Sequence, residues 1–332
     1  MPRPVTSPAI FDRRGLLMAA ASLAALRRAG AQPAAFPSRP IKLLVGFAPG
    51  GAVDIIARAI GQQIAPALGQ PVVVENKPGA GTNIALRALI DSLPDGHTLM
   101  LTANSIAANP TLYQPPPFDM ARDFTPVSLV GRVPVVLAVN ASSPIDSIAR
   151  LIATSKASPR SVSYGSPGNG STPHLAIALF EGAAGIELNH VPYKGGAPAL
   201  NDAIAGHLQA VAVNALEALP HARAGKLRVL AVLSPQRSPI FPDVPTIAES
   251  GFAGFEASVW YGVVGPAGMP PPVVARLHAE VQKALGAPEV RERLTGAGGE
   301  VLPGAVERFT GLLASERARY DKLIREARIQ PD

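Results

Sequence analysis

The chain has 332 residues, no cysteine and 47 % hydrophobic residues, enough to build the cores of two domains while excluding a disulfide framework and a cysteine-ligated zinc site. Its formal charge of +6 is uneven: residues 1–31 hold five arginines against one aspartate, a balance of +4, which leaves +2 for the rest. So near-neutral a remainder carries no electrostatic footprint for nucleic acid or an acidic membrane face.

The first segment reads as an address. Arg13 and Arg14 precede an uncharged run over residues 15–26 (GLLMAAASLAAL), and Ala29, Gly30 and Ala31 fit a cleavage site before Gln32. The apolar part is too short to span a bilayer comfortably, so residues 1–31 are predicted to be an export signal; the alternative is an ordinary buried helix. The paired arginines point to the twin-arginine route, as do Arg27 and Arg28 beside the cleavage site. With no cysteine to carry a lipid anchor, the expected mature protein is free in the periplasm.

Residues 41–47 form an apolar run, broken only by Lys42, suited to a strand buried on both faces. Ile55, Ile56, Ala59, Ile60 and Ile64 then share one helical face, with Pro66 expected to mark the helix end and Gly69 just beyond. A strand is predicted over 72–75, a helix over 83–93 and a strand over 99–102. This alternation argues for a parallel sheet with helices on both faces. A second alternating block opens with a strand over 135–139. Helices follow over 148–155, 172–182, 197–205 and 217–224, and strands over 161–164, 188–193, 208–213 and 227–233. Thr172 is the expected N-cap of the second of these helices, with Pro173 in its first position. A strand over 259–264 carries Trp260 and Tyr261. A helix starting at Pro271 and Pro272 lines up Val274, Leu277, Val281 and Leu285, and a charged helix over 305–327 closes the chain. The expected organisation is two α/β lobes, one of residues 32–137 plus 255–332 and the other of residues 138–254, with the tail returning to the first.

Four strand-like runs break into glycine-rich turns before a helix restarts: Phe47-Ala48-Pro49-Gly50-Gly51, Pro78-Gly79-Ala80-Gly81, the segment 165–171 (GSPGNGS), and Tyr193-Lys194-Gly195-Gly196. Such a turn delivers unpaired N–H groups at a helix start that carries about half a positive charge, a natural seat for an anion. Each glycine could instead serve only the turn dihedrals, but all four sit where open sheets bind ligands, beyond the carboxyl ends of the strands. Ile84 stands where a dinucleotide motif needs glycine or alanine, and no Walker sequence is present. The six histidines show no metal-ligand spacing, so neither metal nor cofactor is expected. Asp54 either complements the helix dipole or orients the Gly50-Gly51 turn. Lys194 is the cation beside a glycine turn, and Phe47, Tyr193 and Trp260 are pocket walls or core. Ser166, Ser171 and Ser105 invite a hydrolase reading with His174 or His190 as base and Asp202 as orienter, although Ser166 is not in a G-x-S-x-G elbow.

With these residues assembled, the chain resembles the Bug family of periplasmic solute receptors, the extracytoplasmic binding subunits of tripartite tricarboxylate transporters. The resemblance runs in order over PSRPIKLLVGFAPGGAVDIIAR, PVVVENKPGAGTNIA, PDGHTLMLTANSIAANPTLY, YGSPGNGSTPHLA, VPYKGGAPALNDAIAGH, GKLRVLAVLSPQRSPIFPDVPTIAESG and WYGVVGPAGMPPPVVARL, spanning essentially the whole mature chain. It implies a type II periplasmic-binding fold whose lobes close over a small organic carboxylate, held by backbone N–H groups and hydroxyls and passed to a membrane transporter by a monomeric receptor. The ligand residues it implies are Phe47, Pro49, Gly50, Gly51 and Asp54, then Asn83, Asn104 and Ser105. In the second lobe they are Ser166, Gly168, Asn169, Gly170, Ser171 and Thr172, then Tyr193, Lys194, Gly195, Gly196, Ala197 and Asn214. Pro167 departs from the family pattern, where glycine is usual, and the stretch around Asn214 varies among these receptors. A periplasmic hydrolase using a loop serine and a ligand-sensing partner of a signalling receptor are the other readings.

Overall fold

Strand β1 (Ile41–Val45) is buried at four of its five positions, the pattern of a strand covered on both faces. In this computed structural model, which describes residues 36–327 and 329–331, β1 pairs in parallel with β2 (Val72–Asn76) on one side and β3 (Thr98–Thr102) on the other. Helix α1 (Ala52–Leu68) crosses between β1 and β2, burying Ile56, Ile60, Ile64 and Leu68. It runs through Pro66 and stops at Gly69, a left-handed residue (φ 67°) whose N–H reaches the Pro66 carbonyl at 3.2 Å. The proline removes one N–H from the last turn, and burial of the apolar face carries the helix past it. A 3₁₀ turn (Ala80–Thr82) and α2 (Asn83–Ile90) lead to β3, and α3 (Ser105–Leu112) and the short α4 (Met120–Asp123) follow it.

The alternation predicts a parallel sheet, but the sheet is mixed. Strand β4 (Phe124–Asn140) is 17 residues long, and β9 (Ser258–Pro266) lies between β3 and β4, antiparallel to both. The partner of β4 then changes: Pro134 still faces Ser258 of β9, whereas Val135 faces Asn214 of β7 (Ala210–Asn214). Strands β5 (Ser163–Ser166) and β6 (Asn189–Pro192) continue beyond β7 as a parallel trio, and β8 (Leu227–Val232) pairs with the same end of β4. The order β2-β1-β3-β9-β4-β7-β5-β6 thus joins two parallel trios through two antiparallel strands. The sequence reading caught only residues 135–139 of β4, because Pro126, Gly131 and Pro134 interrupt its strand pattern. The register shifts at Pro126/Ser128 and at Leu129/Gly131 are bulges, which tolerate such residues.

Helices α5 (Ile148–Ala157), α6 (Thr172–Ala184), α7 (Gly196–Ile204) and α8 (Ala215–Arg223) connect the second trio. Helix α6 is capped by Ser171, not Thr172: the Ser171 hydroxyl accepts the His174 N–H, and Pro173 falls in the second helical position. Helices α9 (Pro271–Gly286) and α10 (Pro288–Thr295) and the short β10 (Glu300–Val301) precede α11 (Val306–Glu326). Helix α11 returns to the first half, packing Phe309, Leu313, Tyr320 and Ile324 against Ile106, Ala107, Leu112 and Trp260. Residues from Arg39 onward make one compact unit. Residues 1–31 lie outside those described, and among the described residues no helix is long and apolar enough to cross a membrane.

Candidate functional site

The carboxyl ends of β1, β3, β5 and β7 and the openings of α1, α3, α6, α7 and α8 converge on one half-open cavity, whose empty space is about 380 Å³ when counted out to open solvent. Its lining comes from both halves of the sheet: Phe47, Gly51, Ala52, Val53, Ala103, Ser105 and Val259 on one side, Pro167, Ser171, Thr172, Pro173, Gly196, Asn214 and Glu217 on the other. Of the residues expected from sequence, Phe47, Gly51, Ser105, Ser171, Thr172, Gly196 and Asn214 are brought together here. A second half-open cavity, about 710 Å³ counted out to open solvent, shares Phe47 and Pro167 as walls and takes in Gly168, Asn169, Tyr193 and Lys194, with the second glycine turn at Gly79–Gly81 and Thr82 also lining it. Ala80 (φ 46°) and Thr82 (φ 80°) hold left-handed backbone there, rare for a β-branched residue, and the Thr82 hydroxyl donates to Ser105 Oγ at 3.2 Å.

Several glycine-turn amides are already committed within the chain. The Gly50 N–H donates to Asp54 Oδ2 at 3.0 Å, the Gly168 N–H to Ser166 Oγ at 3.1 Å, and the Gly170 N–H to His174 Nδ1 at 3.2 Å. The Ala48 N–H meets the Lys194 carbonyl at 2.7 Å, stitching the first loop to the fourth. Gly195 needs its lack of a side chain for this contact: at φ 155° its Cβ would sit 3.1 Å from the Ala48 nitrogen. Pro49, Gly50, Gly195 and Ala197 shape the loops without lining either cavity.

Asp54 is a scaffold for the first turn. It is buried, takes two hydrogen bonds from Arg58 and one each from the Gly50 N–H and Asn76 Nδ2, and Asn76 Nδ2 also reaches the Phe47 carbonyl at 3.0 Å. Burial raises the Asp54 pKa, but the bonds from Arg58, Gly50 and Asn76 outweigh it and hold the carboxyl below its ordinary value. Asn104 also lies outside the cavities. Its Nδ2 donates to Tyr320 Oη at 3.0 Å and Glu316 Oε2 at 3.2 Å, and its Oδ1 accepts the Trp260 N–H, tying β3 to α11. Asn83 Oδ1 accepts from Asn109 at 2.7 Å beside the second turn.

The serine and histidine cluster is a packed scaffold. Ser166 is fully buried, with His190 Nε2 2.7 Å from its Oγ. The His174 and His190 rings stack at 4.3 Å. Burial, and then the neighbouring His190, depress the His174 pKa to about 3, so its Nδ1 stays an acceptor for Gly170. Asp202 is no orienter: its carboxylate accepts from Tyr193 Oη and lies 3.5 Å from His207. Tyr193, pushed up to about 12 by burial and by Asp202, keeps its proton. Among the described residues no group of acids and histidines is arranged to hold a metal.

Besides apolar wall residues such as Ala52, Ala103 and Val259, one polar lining residue went unseen in the sequence. Glu217, in the first turn of α8, accepts the Ala52 N–H at 2.9 Å and Asn214 Nδ2 at 2.7 Å, both on Oε1. Burial raises its pKa, against the hydrogen bonds from Asn214 and Ala52. An acid in a first helical turn is ordinary dipole chemistry. The available signal was its spacing, three residues after an asparagine that ends a strand.

Two α/β lobes that share a sheet and close strand-end loops over one cavity define a solute-binding protein of the type II periplasmic-binding fold. The profile of the tripartite tricarboxylate transporter family receptors (TctC) matches residues 56–329, and the chain belongs to that family. It is 38 % identical over 314 residues to protein BugT of Bordetella pertussis, covering 94 % of this chain and 95 % of that protein. Among solved structures it is similar to the periplasmic binding protein BugD, with TM-score 0.86 and 32 % identity over 90 % of this chain and 100 % of that one. It is also similar to an R. palustris protein solved with adipate, with TM-score 0.85 and 36 % identity over 90 % and 100 %. The family is one of receptors, and the serine-hydrolase reading ends here.

Proposed function

We propose that this protein is a periplasmic receptor that closes two lobes over a small organic carboxylate and hands it to a membrane transporter of the tripartite tricarboxylate type. The lobes are residues 32–137 with 255–332 and residues 138–254, hinged near the point where β4 exchanges β9 for β7. Residues 1–31 act as a cleaved twin-arginine signal, and the receptor works as a monomer. The observation that carries the reading is the convergence of helix openings from both halves on one small cavity with no lysine, arginine or histidine in its lining. Recognition then falls to backbone N–H groups and to the hydroxyls of Ser105, Ser171 and Thr172, as suits a carboxylate at helix N-termini. Adipate in a 36 % identical relative agrees with this ligand class.

Contacts that bridge the lobes exist only when they are closed, so the ligand shifts the population toward closure. Each charge-assisted hydrogen bond contributes roughly 1.5–3 kcal/mol. A few of them, less the cost of closure, reach about 8 kcal/mol, a micromolar affinity. Isothermal titration of the protein from Gln32 onward against a panel of mono-, di- and tricarboxylates tests the proposal, and at least one member binds near that affinity. Binding of neutral sugars or simple cations with silence from every carboxylate would sink it.

A further inference from the structure

The inner cavity has a single ionisable group in its lining, and that group is an acid. Glu217 is 6 % exposed, and its Oε1 is saturated by the Ala52 N–H and Asn214 Nδ2. Its Oε2 is buried, makes no hydrogen bond, and lies so close over Gly196 that a Cβ there would fall 1.5 Å from it. Because Asn214 spends its Nδ2 on Glu217, its amide orientation is set, and Asn214 Oδ1 is left buried and unbonded as well. Two orphaned acceptors therefore stand at one wall of the cavity. No cationic side chain among the described residues forms an ion pair with Glu217.

Two consequences follow from charge. The Ala52 N–H belongs to the opening of α1, so the anion seat of that helix is filled by the chain's own carboxylate. Burial pushes the Glu217 pKa up, and a second carboxylate brought to the same wall would face Glu217 in a low-dielectric crevice, where the two can sit together only if one of them takes up a proton. A buried carboxylate with an open oxygen is stabilised when a donor of opposite charge reaches it, and an ammonium also satisfies a neutral amide oxygen. Ser105 Oγ and Ser171 Oγ only accept within the chain, from Thr82 and from the His174 N–H, so both hydroxyls can still donate to a carboxylate in the same cavity.

We propose that Glu217 and Asn214 are the specificity-determining pair of this receptor and select an amino carboxylate, whose ammonium donates to Glu217 Oε2 and Asn214 Oδ1. The proposal rests on the carboxylate reading above and narrows it: one anionic group for the hydroxyls and helix openings, one cationic group for the acid.

The test is isothermal titration at pH 7.5 with matched probes that exchange one carboxylate for an ammonium: succinate against 4-aminobutanoate, and adipate against 6-aminohexanoate. Butylamine and butanoate serve as single-group controls. Wild type should bind the amino carboxylate of one pair at least tenfold more tightly than its dicarboxylate. Glu217→Gln keeps the acceptor for Ala52 and Asn214 but places an N–H₂ where Oε2 was, so the preference should reverse toward the dicarboxylate. If that variant melts early, Glu217→Asp, still charged, should keep the preference at reduced affinity. Equal or tighter dicarboxylate binding by wild type, or an unchanged ratio in Glu217→Gln, overturns the proposal and leaves the receptor reading standing. Dicarboxylate binding that tightens on acidification only when Glu217 is present does the same, assigning Glu217 the part of a protonated acid. Binding of butylamine with silence from every carboxylate, amino carboxylates included, overturns both this proposal and the carboxylate reading, as does silence from all probes.

Discussion

Replacing Asp54 with alanine isolates what orders the first binding turn. The carboxylate is 3 % exposed and accepts from the Gly50 N–H at 3.0 Å, from Arg58 at 3.0 and 2.9 Å, and from Asn76 Nδ2 at 2.9 Å. The Arg58 side chain is 53 % exposed, so its pair with Asp54 is screened and its loss is largely offset by rehydration. The hydrogen bonds from the Gly50 N–H and Asn76 Nδ2 are part-buried and lose a charged acceptor, each worth roughly 1–1.5 kcal/mol once desolvation of the stranded donor is counted. The variant is therefore expected to be about 2–3 kcal/mol less stable at pH 7, measured by urea unfolding. The pH dependence has a defined sign. The folded carboxyl sits below its ordinary 3.8, so its contribution is complete above that value and is lost as pH falls through the lower folded value. The gap between wild type and variant should narrow on acidification below pH 4. A gap under about 0.5 kcal/mol at pH 7, within the range of ordinary surface substitutions, or one that persists unchanged into acid, would refute the reasoning.

Two further outcomes are expected. His174 titrates near 6.5 when unfolded and near 3 when folded; stability is complete above 6.5 and declines as pH falls toward 3, by on the order of 4 kcal/mol. A His174→Phe variant should show a shallower slope across that window in pH-dependent urea melts. A Cβ at Gly262 would fall 2.2 Å from Phe309 Cζ in the packing between β9 and α11, so Gly262→Ala should cost about 1–3 kcal/mol in thermal unfolding.

Glu217 alters how the glycine turns are understood. Helix openings gather at the cavity as their composition suggests, yet several of their amides serve the chain itself. Gly168 and Gly170 are held by Ser166 and His174, Gly50 by Asp54, and Ala52 by an acid from the opposite half. These internal bonds fix the turns, and the hydroxyls of Ser105, Ser171 and Thr172 stay at the cavity surface. Ser171 holds both posts, since its Oγ also caps α6.

What the sequence determined by itself was whatever depends on neighbours along the chain. The apolar run of β1, the one-sided face of α1, the glycine breaks after the strands and the apolar stripe of α9 are local patterns, and each was legible. Tertiary structure alone decided the rest, because it depends on partners far apart in sequence. Strand β4 hides behind its prolines until bulges and two sets of partners accommodate them, and β9 turns antiparallel because the chain returns from the second half before pairing with β3 and β4. Asp54 and Asn104 resemble ligand contacts until folding aims them at Arg58 and Asn76, and at Tyr320 and Glu316. Glu217 resembles a helix-dipole acid until the chain folds back across a sequence separation of 165 and sets it on the Ala52 amide. Periodicity reports which face of an element is apolar; only packing determines which polar groups find partners and which are left for a ligand.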